Sequence, residues 1–63
     1  MSVEDSLAEL ASQLGSVEEA IADLTLEALR SQIGGNEEAK ELERRLSRAR
    51  RSVAKAKGLL EGR

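Results

Sequence analysis

Apolar residues in this chain recur at alternating steps of four and three, a rhythm that leaves few folds open. Before Gly34-Gly35-Asn36 the series runs Val3, Leu7, Leu10, Leu14, Val17, Ile21, Leu24 and Ala28. After it come Ala39, Leu42, Leu46, Ala49, Val53, Ala56 and Leu60. A repeat of this period, apolar at the a and d places of successive heptads, lays a single greasy stripe along a helix and fits no strand. β-Branched residues are few, and turn residues cluster in the middle of the chain. The expected fold is therefore all-α: an antiparallel two-helix hairpin, coiled-coil-like, associating into a helical bundle. It forms one domain over 1–63, with helix 1 at about 3–33, a turn at 34–36 and helix 2 at about 37–61.

Local signals fix the ends. Asn36 is suited to cap a new helix, and Glu37 and Glu38 then fall in a first turn, where the helix dipole favours negative charge. Ser16-Val17-Glu18-Glu19 also has the form of a capping box and follows Gly15, which by itself would start a helix there. The apolar phase nevertheless runs through Gly15 without a slip, and one interior glycine costs only about 1 kcal/mol relative to alanine. The expectation is one continuous first helix, with any bend located at Gly15.

Folding the chain back at its paired glycines gives the layers Ala28/Leu42, Leu24/Leu46, Ile21/Ala49, Val17/Val53, Leu14/Ala56 and Leu10/Leu60. Three of these set a large side chain against alanine, which lets the helices approach closely. Glu18 would then face Arg50, and Glu27 would face Arg45. Exposed pairs of this kind are each worth tenths of a kcal/mol to about 1, so they set orientation more than stability.

Such a hairpin is short of core. The chain has 63 residues, and eleven of its fifteen large aliphatic side chains lie on the seam, where a two-helix structure half-covers them. Ordering that many residues costs about 1.5 kcal/mol each, more than one seam is expected to return, and association is the natural remedy. Helix 1 carries a second stripe ending in Ala22, Leu26, Leu29 and Ile33, which is the expected interface with another copy or with a helical protein partner.

Composition then narrows function. With no His or Cys there is no nitrogen or sulfur metal site, no Cys or Ser–His nucleophile and no disulfide; with no Phe, Tyr or Trp there is no platform for stacking bases. Carboxylates gather at Glu4/Asp5/Glu9 and Glu18/Glu19/Asp23, but on the surface of a rod with no pocket to perturb them. Gly34-Gly35 lacks the preceding strand that a phosphate loop requires. No enzyme, cofactor, metal or small-molecule substrate is expected. The acidic start and the lack of any long apolar run argue against export and membrane insertion, making the cytoplasm the expected location.

The charge is divided unevenly: residues 1–33 hold seven acids and one base, whereas residues 34–63 hold nine bases and five acids. Arg44, Arg48, Arg51 and Lys55 form a ridge on helix 2 opposite its seam. One reading is a solvated face that complements the acidic first helix. The alternative is a nucleic-acid contact that works by phosphate neutralisation and counterion release. The overall charge of −2 and the missing aromatics favour the first.

The run Arg50-Arg51-Ser52-Val53-Ala54-Lys55-Ala56-Lys57-Gly58-Leu59-Leu60-Glu61 resembles the C-terminal helix of the small two-helix ribosomal protein family found near the large subunit's peptide exit. Ser16-Val17-Glu18-Glu19 and Leu29-Arg30-Ser31-Gln32 are similar to other parts of that family. The resemblance spans about a third of the chain, with gaps between the blocks and a different turn. It implies ribosomal RNA binding, with Arg50, Arg51, Lys55 and Lys57 as phosphate contacts.

Overall fold

The computed structural model describes residues 2–31 and 37–62. It contains two α-helices, α1 (Val3–Ser31) and α2 (Glu37–Leu60), packed antiparallel along their length. The described residues form a rod of 51 × 15 × 13 Å. The expected turn at 34–36, and Ile33, expected at an interface, lie outside the described residues.

Helix α1 begins at a tetrad of the same type as Ser16-Val17-Glu18-Glu19, namely Ser2-Val3-Glu4-Asp5. Ser2 is the N-cap: its Oγ accepts a hydrogen bond from the Asp5 amide at 3.1 Å, and its carbonyl accepts from the Ser6 amide at 3.1 Å. The second tetrad does not cap. Helix α1 runs unbroken through Gly15, and the Ser16 hydroxyl turns back toward the Ser12 carbonyl at 3.5 Å. Continuity of apolar phase thus outweighs a local start signal. Helix α2 ends on Gly62, whose φ of 82° is the left-handed conformation that glycine adopts without cost. The Gly62 amide donates to the Leu59 carbonyl at 3.1 Å, satisfying one of the last free carbonyls of the helix.

The seam is rotated from its expected position. Leu7, Leu14, Ile21 and Ala28 on α1, and Ala39, Leu46, Val53, Ala56 and Leu60 on α2, are half-buried as anticipated. Leu10, Val17, Leu24 and Leu42, expected in the same seam, stand at its edge and are 44–52% exposed. The inward places on α1 go instead to Ala11, Glu18 and Thr25. Ala11, at 3% exposure, is the most completely covered side chain described. Each replacement has a physical reason. Ala11 is small enough to sit between the helices, and beside it the end of Lys57 lies over Gly15, where an added methyl would meet Lys57 Nζ at 3.5 Å, an ordinary contact. Thr25 hides its hydroxyl by donating to the Ile21 carbonyl at 2.9 Å. Glu18 pairs with Lys57 across the seam at 3.8 Å.

The register follows the rotation. Near the turn, Leu24 and Ala28 share a groove with Ala39, Leu42 and Leu46, in keeping with the expected Leu24/Leu46 and Ala28/Leu42 layers. At the open end the groove is lined by Leu7, Ala11 and Leu60, one turn away from the expected Leu10/Leu60 layer. Glu18 and Arg50 line one groove, but the ion pair that crosses the seam is Lys57–Glu18; Glu27 and Arg45 form none.

Candidate helix-packing interface

The seam takes in Ala11, Glu18 and Thr25 beside Leu7, Leu14 and Ile21, and leaves other large side chains at its edge. Val3, Leu10, Val17 and Leu24 recur every seven residues and form one file along the edge of α1. All four are exposed, Val3 most at 76%. Across the seam Leu42 is also exposed, and it lines the same groove as Leu24. One heptad farther from the turn, the same places fall to Val17 and Ala49, and one heptad beyond that to Leu10 and Ala56. The result is a continuous apolar face on one side of the rod. The periodicity revealed these residues but assigned them to the hairpin's interior. The signal that separates the two roles is the file of small residues, Ala8, Gly15 and Ala22, beside Ala11, which marks the side on which the helices meet.

The stripe expected to bind a partner lies on the other side. Ala22 is half-buried and lines a groove with Gly15, Glu18, Glu19, Arg50 and Lys57. Leu26 and Leu29 are about half exposed, at 50% and 47%. Glu19 shares the heptad place of Leu26, so this side combines two leucines with charge, where the first is nearly all apolar.

The basic ridge is arranged in part as expected. Arg44, Arg48 and Arg51 line a shallow groove on α2 together with Lys40, Glu43 and Ser47; Lys55 does not. Arg44 pairs with Glu41 at 3.5 Å, and Arg51 donates through Nε to the Ser47 carbonyl at 3.4 Å. Lys40 pairs with Glu37 at 3.8 Å. These pairings are local and solvent-facing, each worth a few tenths of a kcal/mol. They leave the guanidinium groups able to meet an anion.

Among the described residues no group of three or more acids could hold a metal ion, and no helix is long and apolar enough to cross a membrane. Comparison with known proteins returns no matching family model, no similar curated protein and no similar solved structure, so the ribosomal resemblance rests on the quoted strings alone.

Proposed function

We propose that this chain is a non-enzymatic structural or adaptor module of the cytoplasm that works by packing helices against helices, chiefly those of another copy of itself. One observation carries the reading: the hairpin buries only Ala11 among its described residues, while eight large aliphatic side chains stand 44–76% exposed. Burying such a side chain from full exposure is worth about 1.5–3 kcal/mol, and each of the eight still has roughly half or more of that to gain, which together is a large driving force for association. Exposed apolar surface of this extent on so small a chain is the mark of an interaction site.

The test is the molar mass in solution by light scattering across a range of chain concentrations. A mass of two or more chains that falls on dilution supports the reading. A chain that stays helical and monomeric at every concentration overturns self-association.

A second reading, binding of an anionic polymer such as RNA, is favoured by one specific observation: Lys40, Arg44, Arg48 and Arg51 converge on a single groove. It is compatible with the first, because that groove does not include the apolar face.

A further inference from the structure

We propose that the face built on Leu10, Val17, Leu24 and Leu42 seats a second copy of this chain, with a two-fold axis parallel to the helices, so that α1 of each copy lies on α2 of the other. This rests on the self-association reading and makes it specific: it names the face, the symmetry and the residue pairs.

Size is the first support. A face 51 Å long and 15 Å wide offers on the order of 800 Å² in projection, the amount each partner contributes to a stable interface. Charge distribution is the second. Stepping outward from the apolar file on each helix, the next heptad places are Ser6, Gln13, Ala20 and Glu27 on α1 and Glu38, Arg45, Ser52 and Leu59 on α2. Charge among these is confined to Glu27, Glu38 and Arg45, all toward the turn, and depletion of charge is what distinguishes the centre of an interface. The side that carries Ala22, Leu26 and Leu29 has no such charge-free stretch: Glu19 shares the heptad place of Leu26, and Glu18, Glu19, Arg50 and Lys57 line the groove at Ala22.

The symmetry follows from two complementarities. Rotation about an axis parallel to the helices keeps every residue at its own height. Each α1 side chain then meets, in the other copy, the α2 residue it already flanks in its own: Leu10 meets Ala56, Val17 meets Ala49 and Leu24 meets Leu42. Two of these three layers set large against small, which closes the bundle without voids. The same rotation lays α1, with seven acids and one base, on α2, with eight bases and four acids. An axis perpendicular to the helices would instead set α1 on α1, acid on acid, with Val17 on Val17. Opposed fields favour the first arrangement and penalise the second. A single patch serves both copies in either case, as a closed two-fold dimer requires.

The chain has no cysteine, so single cysteines report the arrangement directly. Chains carrying V17C and chains carrying A49C are mixed, equilibrated and gently oxidised. The expected product is the mixed V17C–A49C dimer, well above its statistical share, with little V17C–V17C. Predominance of V17C–V17C would overturn the axis, and failure of both to cross-link in a chain of dimeric mass would overturn the face. A second pair of variants keeps the two sides apart: L10E/L24E should reduce the mass to one chain, whereas L26E/L29E should leave it unchanged. The opposite result sinks this inference while leaving self-association standing. A wild-type chain that is monomeric throughout sinks both.

Discussion

Three glycines at different places in this hairpin should respond to the same substitution with opposite signs. Gly15 and Gly58 lie inside helices, whereas Gly62 ends one with a φ of 82°. Alanine is about 1 kcal/mol better than glycine in a helix interior, largely because it has less freedom to lose on folding. At Gly58 nothing lies within 4 Å of the added methyl, so the full gain of about 1 kcal/mol is expected there. At Gly15 the methyl would meet only Lys57 Nζ at 3.5 Å and Cε at 3.6 Å, ordinary contacts with the end of a flexible side chain. Gly15→Ala should therefore gain a similar amount, and the two changes should add. Gly62→Ala forces a side chain into left-handed backbone at a cost of about 1 kcal/mol. In a domain of this size, 1 kcal/mol moves Tm by roughly 4–8 °C. Thermal unfolding by far-ultraviolet circular dichroism reads all three, at one fixed chain concentration because association makes Tm concentration-dependent. Gly15→Ala falling below wild type while Gly58→Ala rises would mean that the space beside Gly15 is occupied, by a tighter seam or by another chain. That result would refute both the packing described and the choice of association face. A neutral Gly62→Ala would refute the left-handed cap.

Two further outcomes follow. Ala11→Gly should cost about 1.5–2 kcal/mol, the helix-propensity loss plus the value of one buried carbon, against about 1 for exposed Ala54→Gly; equal costs in thermal unfolding would show that the Ala11 methyl is not covered. If the α2 groove binds nucleic acid, affinity for a generic RNA should fall steeply across a salt series and be abolished by R48E/R51E, whereas no binding at low salt removes that reading.

Much of the architecture was legible in the residues. The alternating four-and-three spacing specified two helices, and the uninterrupted phase at Gly15 correctly overruled the capping tetrad at Ser16. At the start of α1 the Ser2 hydroxyl caps the helix, as its position before Val3-Glu4-Asp5 allows. What the pattern could not give was the rotation of each helix about its own axis. Of three adjacent files of α1, those led by Leu10 and Leu7 are apolar and the one led by Ala11 is small but carries Glu18 and Thr25, and a two-helix seam has room for two. Hydrophobicity favours the Leu10 file. Close approach favours the Ala11 file, and the Lys57–Glu18 pair removes the obstacle that Glu18 would otherwise pose. The choice turns on side-chain size where the helices meet, which no count of apolar residues records. Leu26 and Leu29, expected at an interface, are about half exposed, and the larger apolar face arises from the rotation, which the apolar spacing alone does not give.

The slender outline of the hairpin has a hydrodynamic consequence. A rod 51 Å long and 15 Å across meets more frictional drag than a sphere of equal mass, and a gel-filtration column calibrated with globular standards will overstate its size. Pairing side by side thickens the particle without lengthening it, so mass can double while the longest dimension seen by X-ray scattering stays near that of one chain. Joining tip to tip would double that length instead. Slenderness thus turns scattering length into a gauge of how copies stack, independent of how tightly they hold.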